Sequence, residues 1–271
     1  MHFLKKTILL LPLLSLVATS CDNISEDERY ITVDQVTPKR AVLLEEFTGQ
    51  YCRNCPDAHQ IISQLKEQYG DSFIPVSIHA GPTANAIPAD QSVSLTNQGL
   101  KQDEGDTYAD MWGITSYPQG VFNRTSGVLS RDKWAAQIVT ELQKEAPLNI
   151  NVSARYDSAS NKVLVSTELV PVENINANLQ LWLVESDIVS MQQNGAKMDR
   201  KYVHNHVFRT SINSTQGQPV ALTANIYGEY EAEVEVKELW VPANLSVVAF
   251  VYNSTGVLNA AETAVVVDQE Q

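Results

Sequence analysis

The stretch "EEFTGQYCRNCPDAHQ", residues 45–60, holds two of the chain's three cysteines in C-x-x-C spacing. Before it, "AVLLEEFTG" (41–49) reads as a buried strand that ends at a glycine. After it, "PDAHQIISQLKEQY" (56–69) places Ala58, Ile61, Ile62, Leu65 and Tyr69 along one face at helical spacing. Pro56 suits a first helical turn, where its missing N–H costs nothing. Cys52 is therefore expected at or just before a helix start, facing the positive end of the helix dipole. The pair can be a redox couple, half of a zinc site, or a staple, and its surroundings must decide.

Working outward, "SFIPVSIHA" (72–80) reads as a second apolar strand, followed by a long polar segment over 80–105. "DTYADMWGITSYPQGVFNR" (106–124) reads as a short helix, a turn with Pro118, and a strand through Val121 and Phe122. "GVLSR" (127–131) offers another short strand. "RDKWAAQIVTELQKEA" (131–146) is an amphipathic helix with Trp134, Ile138 and Leu142 on one stripe.

Two segments about sixty residues apart, "LLEEFTGQYCRNC" and "YADMWGITSYPQGVFNR", resemble the active-site turn and the cis-proline segment of the thioredoxin superfamily. The resemblance covers about 105 residues, 41–146. It implies that Cys52 is the attacking nucleophile, Cys55 the resolving thiol, and Pro118 the cis-proline opposite them. Glu46, six residues before Cys52, falls where that superfamily holds a buried acid able to take a proton from the resolving thiol. Tyr51, Arg53 and Tyr117 flank the turn and are expected to meet substrate. The helix start and Arg53 should favour the Cys52 thiolate, and Cys55 should be shielded one turn inward. The departures are Tyr51 where thioredoxins carry tryptophan, Arg53–Asn54 between the cysteines, and the extended segment 80–105. No cofactor is expected beyond the redox-active disulfide itself.

His59, one helical turn past Cys55, and His79, at the end of the second strand, are formal partners for a zinc site with the cysteines. A proline packed on the cysteines hinders metal capture, so no metal is expected. In "HNH" (204–206), His204 and His206 read as two packed or solvated side chains on one strand face.

From Pro147 the period changes to strict alternation, as in "LNINVSARY" (148–156) and "KVLVSTELV" (162–170). "NLQLWLVE", "KYVHNHVFRT", "YEAEVEV", "LSVVAFVYN" and "VLNAAETAVVV" continue in short strands. "SDIVSMQQNGAKMDR" (186–200) reads as an interruption, a helical turn or a loop. The expected fold is an α/β thioredoxin-like domain over 41–146, followed by an all-β immunoglobulin-like sandwich over 147–271.

At the N-terminus, Lys5 and Lys6 precede "TILLLPLLSLVATS" (7–20), and Cys21 follows directly. This resembles a bacterial lipoprotein signal over 1–20, with Cys21 lipidated as the mature N-terminus and an acidic tether over 21–40. A net charge of −13 sets nucleic acid aside. With Cys21 modified, Cys52 and Cys55 are the remaining thiols, outside the cytosol where disulfides persist. The whole layout, including "YVHNHVFR", resembles the Bacteroidetes outer-membrane lipoprotein family named for a twenty-eight-kilodalton protein. It implies an outer-membrane protein anchored by lipid on the periplasmic or cell-surface face. The expected activity is thiol–disulfide exchange on exported proteins; the alternative is a surface adhesin, with its own ligand, whose disulfide is structural.

Overall fold

A computed structural model describes residues 37–84, 98–125 and 127–267. Lys5, Lys6, the signal-like run, Cys21 and most of the expected tether lie outside the described residues, as does half of the segment 80–105. Residues Pro38–Gln271 form one compact unit.

The chain begins with strand β1 (Val42–Thr48), helix α1 (Cys55–Tyr69) and strand β2 (Phe73–His79). Helix α2 (Asp103–Trp112), strands β3 (Gln119–Phe122) and β4 (Val128–Leu129), and helix α3 (Trp134–Leu142) follow. Then come eleven strands: β5 (Leu148–Asp157), β6 (Lys162–Pro171), β7 (Ile175–Glu185), β8 (Ile188–Asn194), β9 (Lys197–His204) and β10 (Val207–Ser211), continuing with β11 (Gln218–Leu222), β12 (Gly228–Glu235), β13 (Leu245–Asn253), β14 (Gly256–Ala264) and β15 (Val266–Val267). Helix α1 starts at Cys55 with a proline in its first turn and buries Ala58, Ile62 and Leu65. Helix α2 gathers Asp103, Glu104 and Asp106 in its first turn, where the dipole favours negative charge, and stops at Gly113 in the left-handed conformation.

The expectation of a thioredoxin-like α/β domain followed by a separate immunoglobulin-like sandwich does not hold. The molecule is mostly β, and its largest sheet is a single mixed one that runs β14-β13-β7-β10-β2-β1-β3-β4, with β11 also paired to β7. The join is parallel, Val207 of β10 opposite Ser77 of β2, and the Ser77 N–H donates to the His206 carbonyl at 2.7 Å. Strands from the second half of the chain thus extend the sheet begun by the first half. The sheet also bends back on itself, since Val257 N–H at the start of β14 donates to the Asn123 carbonyl just after β3.

Burial explains why the join forms. One face of β1 and β2 packs under α1 and α3 through Val42, Leu44, Phe73, Phe122 and Trp134. Their other face, Leu43, Phe47, Ile74, Val76 and Ile78, meets Tyr108 of α2 together with Trp182, Phe208, Val248 and Phe250. Strands β7 and β13 are buried on both sides. Leu179, Leu181, Leu183, Val247 and Ala249 face the four-stranded sheet β12-β6-β5-β15, whereas Trp182, Val184, Val248 and Phe250 face the first half. An immunoglobulin-like sandwich would leave the outer face of those strands to water. Here that face is a second core.

Two local expectations also change. The stretch 186–200 holds a β-hairpin, β8 paired antiparallel with β9, rather than a helical turn or plain loop. "KYVHNHVFRT" is two strands, broken at Asn205–His206, where His206 has a positive φ of 55°. His204 and His206 therefore do not share a strand face.

Candidate functional site

The cysteine turn grows from the end of β1. Thr48 is the last strand residue, and Gly49 passes so near Thr83 that a Cβ there would lie 2.6 Å from the Thr83 carbonyl. Only glycine fits that approach. Tyr51 N–H then donates to the Thr83 carbonyl at 2.8 Å and Cys52 N–H to the Gly49 carbonyl at 2.9 Å. Cys52 and Cys55 form a disulfide with Cα atoms 5.4 Å apart. Cys55 is fully buried and Cys52 is 4% exposed, while Tyr51, Arg53 and Asn54 face solvent.

The β8–β9 hairpin accounts for the burial of Cys52. Gln192 Nε2 donates to the Gly49 carbonyl at 3.2 Å and to the Cys52 carbonyl at 3.0 Å. Gln193 N–H donates to the Gln50 carbonyl at 2.7 Å, and Gly195 N–H to the Arg53 carbonyl at 3.0 Å. The Gln50 amide reaches back into the hairpin, donating to Ser190 Oγ and to the Met191 carbonyl, both at 3.1 Å. The turn is thus clamped by backbone and amide bonds from a segment 140 residues later.

Pro118 follows a cis Tyr117–Pro118 peptide bond. Gln119, the first residue of β3, pairs with Phe47, so Pro118 lies at the end of the sheet from which the cysteine turn springs. The Tyr117 ring lies over Gly81, where a Cβ would meet its hydroxyl at 2.0 Å.

Both glutamates of β1 are buried, on opposite faces. Glu45 pairs with Arg124 at 2.7 Å, and that guanidinium lies 4.5 Å from the Tyr252 ring centre and 4.9 Å from Phe250. Glu46 faces α1. Neither of its carboxyl oxygens has a hydrogen bond of ordinary geometry, and burial raises its pKa to about 8 against the opposing pull of the Ser77 and Thr48 hydroxyls. At neutral pH the group is largely a neutral acid.

Around Glu46 the fold gathers three histidines. His59 of α1 places Nε2 3.0 Å from Thr48 Oγ1 and 3.7 Å from Glu46 Oε1, and Nδ1 2.9 Å from the Tyr202 hydroxyl. His204 of β9 lies edge-on to His79, ring centres 5.5 Å apart, and 6.5 Å from His59. Burial is the first cause that keeps all three neutral: it lowers His59 to about 4, His204 to about 3 and His79 well below the usual imidazole range. After burial, His59 disfavours charge on His79 and His204, His204 does so on His79, and Arg209 adds to this at both. Among the described residues, no group of three histidine, cysteine, aspartate or glutamate side chains has the arrangement to hold a metal ion. Beside α1 a cavity of about 580 Å³ is lined by Pro56, His59, Gln60, Lys66, Tyr202 and His206.

Sequence reasoning separated these pieces. It put His59 and His79 near the cysteines but assigned His204 to another domain, and it missed Tyr202, Gln50 and Gln192 altogether. The signal for Tyr202 lay in "YVH" (202–204), two polar aromatic residues two apart at the end of β9, on one strand face.

No curated protein matches the chain. Among solved structures, HBP35 of Porphyromonas gingivalis is similar in fold, with a TM-score of 0.68 at 17% identity, covering 84% of this chain and 76% of that one. That likeness runs across both halves of the chain, in keeping with one continuous sheet. A domain of the outer membrane lipoprotein Omp28 from Porphyromonas gingivalis matches at 23% identity over 46% of this chain and 92% of that one, with a TM-score of 0.34. The family model for outer membrane protein Omp28 matches residues 105–269, more than half of the chain. The chain belongs to the Omp28 family and is an outer-membrane protein.

Proposed function

We propose that the chain is a membrane-anchored thiol–disulfide oxidoreductase, acting on exported proteins through Cys52 and Cys55. The observation that carries this reading is the buried acid Glu46 beneath the helix that begins at Cys55. A static staple has no use for an unpaired carboxyl in the core, which costs several kcal/mol to ionise there. Strongly shifted titrating groups beside a reactive pair are instead the mark of proton-coupled chemistry. Cys52 is the attacking thiol, with the α1 N-terminus and Arg53 beside it. Cys55 resolves the mixed disulfide, and Glu46 exchanges the proton of the resolving thiol. Tyr51, Arg53 and Tyr117 flank the turn where a polypeptide would lie, near Pro118. Lipid on Cys21 holds the protein to the membrane, on its periplasmic or cell-surface side.

A second reading has its own support. The hairpin bonds leave Cys52 almost inaccessible, which suits a surface binding protein with a permanent disulfide. Trapping separates the two. Cys55→Ser should accumulate exported proteins disulfide-linked to Cys52, and Cys52→Ser should abolish exchange with a model disulfide. A reduction potential below about −300 mV, with no trapped partner, would sink the oxidoreductase reading in favour of the staple.

If exchange requires the hairpin to lift, Gln192→Ala should speed it. The substitution removes two hydrogen bonds to the turn, together worth about 1–2 kcal/mol. Reduction by dithiothreitol, followed as free-thiol release, is expected to accelerate about tenfold. An unchanged rate would mean that the hairpin does not gate the disulfide.

A further inference from the structure

We propose that His59 and Tyr202 form a proton path joining the buried acid Glu46 to the solvent-filled cavity beside α1. The contacts run in series. Glu46 Oε1 lies 3.7 Å from His59 Nε2, with Thr48 Oγ1 bonded to the same nitrogen at 3.0 Å. His59 Nδ1 is 2.9 Å from the Tyr202 hydroxyl. Both His59 and Tyr202 line the cavity, and the His59 side chain keeps 15% of its surface open. Among the described residues, no other neighbour of Glu46 combines these properties. Ser77 and Thr48 are buried strand residues, and the ring nitrogens of His79 and His204 have no hydrogen bond of ordinary geometry. Their polar neighbours are backbone groups of Ser77, Ser190 and Met191, which cannot carry a proton to the cavity.

A neutral imidazole suits the task, because it accepts a proton at one nitrogen while releasing another from the opposite one. Burial keeps His59 neutral across the physiological range. Tyr202 is held protonated chiefly by burial, to which Asp199 adds and Glu46 adds once it is ionised, so its hydroxyl is ready to donate a hydrogen bond to His59. The remaining titratable or charged groups facing the path are His79 from β2, His204 from β9, Arg209 from β10, and Asp57, Lys66 and His206 at the cavity wall.

The path rests on the oxidoreductase reading and deepens it. When a dithiol reduces the pair, its thiolate attacks Cys52 Sγ. The Cys52–Cys55 bond breaks, and Cys55 leaves with the electron pair. Cys55 takes a proton from Glu46. Tyr202 then gives its proton to His59 Nδ1, His59 Nε2 releases one toward Glu46, and cavity water restores Tyr202. The second donor thiol, its proton lost to solvent, displaces Cys52 as a thiolate, which takes up that proton. The donor ends as a disulfide, oxidised by two electrons, and the pair as two thiols.

The test uses the full mature chain and two variants, Tyr202→Phe and His59→Gln. Each is expected to slow reduction by dithiothreitol about tenfold near pH 6, against the hundredfold or more typical of a complete acid–base contribution. Each should enlarge the solvent deuterium isotope effect and leave the melting temperature of Tyr202→Phe close to that of the parent. Free imidazole should restore part of the rate in His59→Gln. Rates and pH profiles equal to the parent in both variants would overturn the path while leaving exchange itself standing. If the parent is not reduced at all, the oxidoreductase reading falls, and the path is judged by the deuterium shift of the protonated Glu46 carbonyl band after transfer to heavy water. Slower exchange of that band in Tyr202→Phe supports the path; equal exchange overturns it.

Discussion

Replacing Trp182 with alanine is expected to cost about 3–5 kcal/mol and to lower the melting temperature by on the order of 10 °C. The indole is fully buried. It packs edge-on against Tyr108, Phe208 and Phe250, with ring centres 5.0, 5.3 and 4.8 Å away. Its Nε1–H donates to the Tyr108 hydroxyl at 3.0 Å, and that hydroxyl donates in turn to the Thr215 carbonyl at 2.7 Å. Alanine therefore leaves a large cavity and a buried hydroxyl short of one partner. Trp182→Phe should keep most of the packing and cost far less. What matters is where the loss is felt. Tyr108 comes from α2 in the first half of the chain and Phe250 from β13 near its end, so the ring ties the two halves together in the core they share with β1 and β2. Amide-exchange protection should fall by similar amounts in β1, β2, β5 and β6, with one unfolding transition. Protection in β1 that survives the substitution would mean that the halves unfold independently, against the continuous sheet.

Stability should peak near pH 6.5 and fall on both sides. Glu46 in the folded state holds its proton up to about pH 8, whereas the unfolded chain releases it near 4.5. Between those values the folded form binds the extra proton. Stability therefore falls as pH rises through that window, by about 1.4 kcal/mol per unit. The histidines act in the opposite sense. In the unfolded chain they take up protons near pH 6.5, while the folded state resists down to about 4 at His59, about 3 at His204 and lower still at His79. Their stabilisation is complete above pH 6.5 and is lost as the pH falls below it. From 6.5 to 4.5 three histidines outweigh one carboxyl, by a net slope on the order of 2–3 kcal/mol per unit, with His59 contributing least because its ring opens onto the cavity. Above 6.5 only Glu46 among these groups still titrates. Denaturant titrations of the parent and Glu46→Gln at pH 5, 6.5 and 8.5 check this. The glutamine variant should lose the decline on the alkaline side and keep the steep acid limb. An alkaline decline that persists in Glu46→Gln would remove Glu46 as its source.

Much of the site was legible because its signals are local. A strand that ends at Gly49, two cysteines three residues apart, and a proline in the first helical turn together place the pair at a helix start, and the structure joins it as a disulfide. Glu46 was singled out by the resemblance of the cysteine turn to thioredoxins, and its face was decided only by the register of β1 against β2 and β3. The hairpin was not legible. "SDIVSMQQNGAKMDR" is too polar to read as strands, because Ser190 and Gln192 spend their side chains on a turn far away in the sequence and much of β9 is exposed. Gln192 looks like surface until Gly49 and Cys52 are brought beneath it.

The residues alone determined the elements of the first half, most strands of the second and the cysteine turn, while Glu46 was singled out by the resemblance of that turn to thioredoxins. "LQLWLVE" and "SVVAFVY" are apolar on both faces, which a sandwich open to water on one side does not require. Only the tertiary structure decided that those strands continue the first sheet, that their second face closes over β1 and β2, and that His204 and Tyr202 join His59 beside Glu46. The physical reason is that periodicity records how many faces of a strand are buried, not against which partner. That choice belongs to long-range pairing and to the fit of Trp182 and Phe250 against Tyr108 and its neighbours.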